Sequence, residues 1–345
     1  MGASRVVRIS GPPLPYDRTY HLLGRVDKIR AQVIRRRADV LEVHSPYLAA
    51  VAALACGRSA AKIRTAFWHS DHLGTYVQPV VEKALGAAAA RMLALPLWRG
   101  VRALLAPFDA TFVAGKRQAE RLRSAGVTNV VEAPFGVDST RFHPLAGGHA
   151  RRRDLLGDAP ERTAVLVGVG RFAFEKRWDV VLDAFGRLRE EREAILLLIG
   201  DGPERQRLER RAPPGVRFLG FERDRSRLGS ALASADLLVH GCPYETFGIG
   251  VAEAVACGLP VVVPDEGGAR ESAPPATSET YRSLDPASCA AAIERLLARD
   301  RAELRGLARR AAAHVPTMEQ HFSVVFSTYE ALLRRRSDKI HNVSP

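Results

Sequence analysis

Short apolar runs alternate with stretches of helical spacing along most of this 345-residue chain. Arg5 to Asp17 (R-V-V-R-I-S-G-P-P-L-P-Y-D) reads as a short strand followed by a proline-rich loop. From Tyr20 to Arg37 the residues Leu22, Leu23, Val26, Ile29 and Val33 recur at helical spacing. A strand at Asp39 to Val43, a helix from Ser45 and a strand at Lys62 to Phe67 follow. A long helical region runs from beyond His69 to about Leu105, interrupted at Pro79 and Pro96, and strands at Ala110 to Val113 and Asn129 to Glu132 flank a helix at Lys116 to Ala125. Strands that alternate with helices pair in parallel through crossovers, so this half predicts a doubly wound sheet of about five strands.

The alternation breaks at Pro134-Phe135-Gly136-Val137-Asp138, and a polar stretch, G-G-H-A-R-R-R-D, reads as a linker. A second series then begins. Strands are expected at Ala164 to Val169, Ala194 to Ile199, Val216 to Leu219, Asp236 to His240 and Val261 to Val263; helices at Arg177 to Arg189, Pro203 to Arg211 and Ser226 to Ala233 separate the first four. From Asp285 the chain is helical to about Arg336, divided at Pro316, and the tail from Ser337 is polar. The architecture is therefore α/β, two Rossmann-like doubly wound domains facing a cleft, with ligands at the carboxyl ends of the strands. The expected divisions are 1–144, 145–316 and a crossing-back helix with tail at 317–345.

Composition narrows the class. No uncharged run reaches spanning length, the longest being Val43 to Gly57, and Met1 to Arg5 has no apolar signal-peptide core. Four widely spaced cysteines without a CxxC pair argue against a zinc ribbon or disulfide framework and fit a reducing, cytoplasmic setting. Net charge is +13, yet only six of the 51 basic residues are lysine, and the arginines are scattered along helices. No nucleic-acid module or interleaved aromatics accompany them, which excludes nucleic acid as the expected partner. Lys83 to Leu105 mixes Leu, Met and Trp with Arg91, Arg99 and Arg102, a pattern shared by core-facing helices and by peripheral contact with an anionic surface at the inner membrane face.

Chemistry concentrates in Cys242 to Pro264, C-P-Y-E-T-F-G-I-G-V-A-E-A-V-A-C-G-L-P-V-V-V-P. Glu245 sits on a loop, Phe247-Gly248-Ile249 leads into a helix, and Glu253 lies one to two turns along it. Carboxylates accept from hydroxyls while helix-start amides favour phosphate, so the layout suits a phosphorylated, polyhydroxylated ligand. A glycosidase pair is disfavoured, because eight residues on one helix separate the backbones by about 12 Å, beyond the roughly 5 to 9.5 Å that such pairs need. Gly168-x-Gly170-x-x-Ala173, with Asp201 ending the next strand, fits a relaxed dinucleotide fingerprint and keeps an NAD(P)-dependent oxidoreductase as an alternative. Arg171 and Lys176 in the same turn instead suit a diphosphate leaving group. Gly200-Asp201-Gly202-Pro203-Glu204 reads as a tight turn into a helix. His69 ends a strand as a hydrogen-bond donor or a structural histidine, a metal site from His69, Asp71 and His72 is disfavoured by ligand spacing, and His44 reads as structural. Asp-x-Asp is absent, so no metal is expected to bridge a sugar nucleotide.

Taken together, Gly170-Arg171 with Glu175-Lys176, Gly200 to Glu204, Val216 to Gly220, Ser234-Ala235-Asp236, and Glu245-Thr246-Phe247-Gly248 through Glu253-Ala254 to Gly258-Leu259-Pro260 resemble the family-4 retaining glycosyltransferases of the GT-B fold. The likeness covers Pro134 to Gly268, with looser agreement around His44 and His69. It implies a hexosyltransferase without metal or cofactor, moving sugar from a nucleotide diphosphate sugar to a glycan or lipid acceptor. By the same resemblance Arg171 and Lys176 neutralise the departing diphosphate, Glu245 and the Phe247-Gly248-Ile249 amides hold sugar hydroxyls and phosphate, and Glu253 holds the ribose. The Gly220 to Glu222 loop meets the nucleobase, and His69 contacts sugar or diphosphate. Family members open with a strand and a glycine-rich loop; nothing of that kind precedes Val6, and Gly11-Pro12-Pro13 lacks the N–H groups to replace it. By analogy about two first strands are missing, and the alternative this implies is a truncated, catalytically impaired nucleotide-binding protein.

Overall fold

A computed structural model describes residues 5–13, 21, 23–44, 48–69, 71, 73–74 and 78–341. The chain forms two compact units, Met1–Ala133 with Ser323–Pro345, and Pro134–Phe322, against the expected divisions at 144/145 and 316/317.

The first unit holds α1 (Val26–Arg36), β1 (Ala38–Val43), α2 (Leu48–Ala55), β2 (Ala61–Trp68), α3 (Gln78–Leu105), β3 (Ala110–Val113), α4 (Lys116–Ser124) and β4 (Val130–Glu132). Its strands pair in parallel in the order β1-β2-β3-β4, four among the described residues where about five were expected. The expected strand after Arg5 does not form: residues 5–12 have no regular structure, Val6 is exposed, and Pro12 and Pro13 offer no ladder donors. Tyr20, Leu22, Ser45 and His72, each part of an expectation above, lie outside the described residues. In α3 the interruption falls at Gly86, whose φ of 83° leaves the helical region, whereas Pro96 sits within the helix and Pro79 in its first turn. Val43, Trp68, Leu105, Val113 and Leu122 belong to this unit's core.

The second unit continues with α5 (His149–Leu156), β5 (Ala164–Val169), α6 (Trp178–Glu191), β6 (Ala194–Ile199), α7 (Arg205–Arg211), β7 (Val216–Gly220), α8 (Arg225–Ser234), β8 (Leu237–Val239), α9 (Ile249–Ala256), β9 (Val261–Pro264), β10 (Ser278–Tyr281), α10 (Pro286–Leu297) and α11 (Arg301–Ala312). The sheet is parallel throughout, ordered β10-β9-β8-β5-β6-β7. All six residues of β6 are buried, as continuous apolar strands are when helices cover both faces. Aspartates start three helices: Asp224 accepts from Ser226 N (2.8 Å), Asp285 from Ala287 N (2.9 Å) ahead of Pro286, and Asp300 from Glu303 N (2.7 Å).

Two elements escaped the sequence pattern. The expected linker folds as α5 because Leu155 and Leu156 are buried and Arg152 reaches Asp236 at 2.8 Å. Asp236 also accepts from Val165 N at 2.9 Å and pairs with Arg301 at 2.6 Å, so the Ser234-Ala235-Asp236 motif ties α5, β5 and α11 together. The second is β10, S-E-T-Y, too polar to read as a strand until its pairing with β9. Finally α12 (Met318–His341) begins in this unit, its residues from Ser323 belong to the first, and its helix runs through the expected polar tail as far as His341.

Candidate functional site

The loops after β5 to β9 carry the singled-out residues of the second unit. Gly170 N donates to Ile199 O (3.1 Å), Phe172 N to Asp201 O (2.9 Å) and Gly200 N to Gly220 O (2.8 Å), so three neighbouring turns are stitched together. A Cβ on Gly200 would lie 1.9 Å from the Gly170 carbonyl oxygen, which only glycine permits. The dinucleotide alternative fails here. After Gly170 the chain makes a 3-10 turn at Phe174–Lys176 and a left-handed residue at Arg177 (φ 51°) before α6 starts at Trp178, whereas the fingerprint starts its helix inside the glycine loop. Gly168 serves packing instead, since a Cβ there would meet the Trp178 ring at 2.6 Å.

Arg171 and Lys176 stand on this turn. The Arg171 carbonyl accepts from Trp178 Nε1 at 2.8 Å, which fixes the backbone under its side chain. Lys176 reaches across to Glu245 Oε1, in the loop after β8, and the two form a hydrogen-bonded ion pair. Burial works against the lysine's charge, but the Glu245 carboxylate outweighs it and holds the ammonium above its ordinary range. Burial likewise opposes ionisation of Glu245, and Lys176 followed by His240 overcomes that and pulls it down. His240 Nε2 lies 3.7 Å from Glu245 Oε1, buried without a hydrogen-bond partner. Burial, joined by Lys176, lowers its pKa to about 4, so the ring is neutral at pH 7. Cys242 is buried beside them and its thiol is pushed up to about 12, first by burial and then by Glu245.

Glu245 is followed by the start of α9. Gly248 caps it in the left-handed region (φ 83°), where a Cβ would also strike Ala269 Cα at 2.8 Å. The first-turn amides of α9, at Ile249 and Gly250, have no carbonyl within the helix to bond. Phe247 is buried edge-on against Phe135, centroids 5.4 Å apart, and its carbonyl accepts from Ser272 Oγ at 3.2 Å. Gly267 and Gly268 press on the backbone of Pro243 and Thr246, so this loop is held from beneath. Glu253 lies inside α9, buried, and pairs with Arg225 at the start of α8. Burial raises its pKa despite that arginine, which itself sits over the Phe142 ring at 4.8 Å. Glu222 accepts from Asp224 N at 2.9 Å and faces Arg227 at 3.6 Å, which orders the loop after β7.

His69 belongs to the first unit. It follows β2, stacked on Phe67 with centroids 4.3 Å apart, and its Nε2 lies 2.6 Å from Nδ1 of His44. His44, read as merely structural, is thus its direct partner. Asp71 is buried, paired with Arg121 at 2.7 Å, and accepts from Gly74 N at 2.8 Å. Among the described residues the one grouping of metal-ligating types is His240, Cys242 and Glu245, within 4.8 Å of one another. The Lys176 ammonium bonded to Glu245 already supplies the positive charge there.

Sequence reasoning missed Arg225, His240, Glu42 and the partnership of His44. His44 and His240 had a visible signal, each a histidine at the end of an expected strand.

Residues 163–299 match the family model described as "Glycosyl transferases group 1", and residues 3–141 that of "Glycosyltransferase Family 4". The chain is 30% identical over 301 residues to a GDP-mannose-dependent alpha-mannosyltransferase of Mycolicibacterium smegmatis, covering 87% of this chain and 75% of that one. It is 34% identical over 212 residues to the GDP-mannose-dependent alpha-(1-6)-phosphatidylinositol dimannoside mannosyltransferase of Mycobacterium tuberculosis, covering 58% of this chain and spanning about half (54%) of that relative's length. Its fold matches sucrose-phosphate synthase of Thermosynechococcus elongatus with a TM-score of 0.72 at 22% identity, over 90% of this chain and 77% of the other. The two parallel sheets are the Rossmann-like units of the GT-B class. Within that class the chain belongs to the family-4, group 1 glycosyltransferases.

Proposed function

We propose that this protein transfers a mannosyl group from GDP-mannose to a glycan or lipid acceptor with retention of configuration. The observation that carries this reading is the run of groups at the carboxyl ends of β5 to β8: Arg171, Lys176 paired with Glu245, the start of α9, and the buried Glu253. The choice of mannose and guanine is supported by the names of the two curated relatives.

In this reading Arg171 and Lys176 neutralise the diphosphate, while Glu245 and the Phe247-Gly248-Ile249 backbone take the sugar hydroxyls and phosphate. Glu253 takes the ribose, and the loop to Glu222 the base. The bond from the anomeric carbon to the phosphate oxygen breaks as a bond to the acceptor oxygen forms on the same face, and the acceptor proton passes to that phosphate oxygen. The barrier falls through charge neutralisation and orientation, with no protein base required. Two fixed cations take the part a bridging metal would otherwise play, so turnover is expected to survive chelation. Of the two contacts the family implies for His69, sugar or diphosphate, this reading takes the sugar-contacting role.

The acceptor side includes a membrane surface in this proposal. Leu85, Met92, Leu93, Leu95 and Leu97 of α3 are exposed among Arg91 and Arg99, a composition that suits anionic lipid. Among the described residues no helix is long and apolar enough to cross a membrane.

The test is nucleotide release from GDP-mannose and from UDP-glucose, with and without added NADH, in wild type and Glu245→Ala. The expected result is GDP release that Glu245→Ala lowers by about 10² to 10³ and that NADH does not inhibit. Equal turnover in both proteins removes Glu245 from the donor site.

A further inference from the structure

In the first unit a chain of hydrogen bonds runs behind His69. Its Nε2 meets His44 Nδ1 at 2.6 Å, and His44 Nε2 meets Glu42 Oε1 at 2.9 Å. The other Glu42 oxygen accepts from Thr65 Oγ1 at 3.1 Å and from Tyr329 Oη, on α12, at 2.5 Å. Phe67, stacked on His69 and 5.8 Å from His44, holds both rings in near-parallel planes.

We infer that Glu42 and His44 are positioning residues that fix the tautomer of His69. A carboxylate only accepts, so His44 must carry its proton on Nε2, and in the neutral ring Nδ1 then holds the lone pair. With His44 neutral, the short contact requires the proton on His69 Nε2, which leaves the lone pair of His69 on Nδ1. Any group meeting that atom has to bring the proton of the bond, as a sugar hydroxyl does and a phosphate oxygen does not. From its place at a strand end His69 was expected as a hydrogen-bond donor to its ligand or as a structural histidine; the chain behind it makes it an acceptor. Glu42 stays ionised and able to hold His44: burial opposes its charge, and the bonds from His44 and Tyr329 more than compensate. Tyr329 and Thr65 occupy the second oxygen, so the first is left aimed at His44.

The inference rests on the sugar-contacting role of His69 given above, and its test separates the two. Imidazole nitrogen shifts of the full chain, labelled with nitrogen-15, read the tautomers at neutral pH without any turnover. The expected spectrum puts His69 in a single form with Nε2 protonated; a proton on Nδ1, or an average of both forms, overturns the inference. His44→Phe keeps the stack and removes the bond, and is expected to scramble the tautomer of His69 and lower kcat about tenfold. His44→Gln can accept from His69 and donate to Glu42 together, and is expected to restore both. Loss in His44→Gln equal to that in His44→Phe, with both folded by circular dichroism, would show a packing role and overturn the assignment. A wild type with the expected spectrum but no transfer from any sugar nucleotide would instead sink the glycosyltransferase reading and leave the tautomer standing.

Discussion

Glu245 and Glu253 stand eight residues apart, the first half-buried and the second buried, each beside one cation, yet the first is made more acidic and the second less. Glu245 ends a loop, where Lys176 from the turn after β5 and His240 after β8 converge on it. Glu253 lies along a helix packed in apolar surroundings, and Arg225 approaches it from the solvent side with its own charge partly hydrated. A cation within bonding distance therefore does not settle a carboxylate's state. What settles it is whether the cation is itself withdrawn from water, because only then is its field undiluted. In the proposed function the difference would serve two roles, an anion that stays charged against the sugar and a more easily neutralised one against the ribose.

Breaking the first pair should have the largest consequence. Glu245→Ala is expected to lower kcat by about 10² to 10³, the cost of losing one oriented electrostatic contact in a transition state, measured as GDP release under saturating donor. Removing its cation should act on stability as well. Lys176→Met strands Glu245 in the fold and is expected to cost about 3 kcal/mol in urea unfolding, and the double change to Lys176→Met with Glu245→Gln should recover most of it. A Lys176→Met protein as stable as wild type would show that water, not lysine, supports Glu245.

The second pair should respond more mildly and through pH. In the proposed ribose contact Glu253 would accept best when ionised, so donor affinity is expected to fall as pH drops through its raised pKa. Without Arg225, which opposes that rise, the fall moves to higher pH. Arg225→Ala is thus expected to raise the donor KM about tenfold at neutral pH, with kcat little changed; a shift of the KM profile to lower pH would reverse the assignment.

The effect that vanishes at neutral pH is on acid stability. His240 takes up a proton at about 4 when folded and near 6.5 when unfolded, so between those values the unfolded chain holds the extra proton. Stability is complete above that window and falls as pH drops through it, by up to about 1.4 kcal/mol per pH unit. His240→Phe should flatten this slope in unfolding curves taken from pH 7 to pH 4, and an unchanged slope would place the titration elsewhere.

Much of the second unit was legible in the chain itself. The apolar runs of β5 and β6 appear at the boundaries expected, because strands buried on both faces must be continuous in apolar residues. The order of Glu245, Gly248 and Glu253 about a helix start was equally readable from spacing. Pairings were not. Arg225 is one arginine among many, and nothing local says that it turns toward a helix residue 28 positions later. Polar elements also hid: α5 and β10 exist because Asp236 and β9 receive them, which is tertiary context. In the first unit the valines after Arg5 met the pattern for a strand and still failed, since a pattern needs a neighbour to pair with.

The contact between Gly200 and Gly170 carries a consequence for exchange of parts among relatives. No side chain fits between these two turns, so neither can be redesigned while the other is held constant. Arg171 and Lys176 hang from one of them and the entry to α7 from the other. A chimera that imports the turn after β5 from another transferase must therefore carry residues 168–178 and 198–205 as one cassette, and libraries that randomise Gly200 will be spent on misfolded clones.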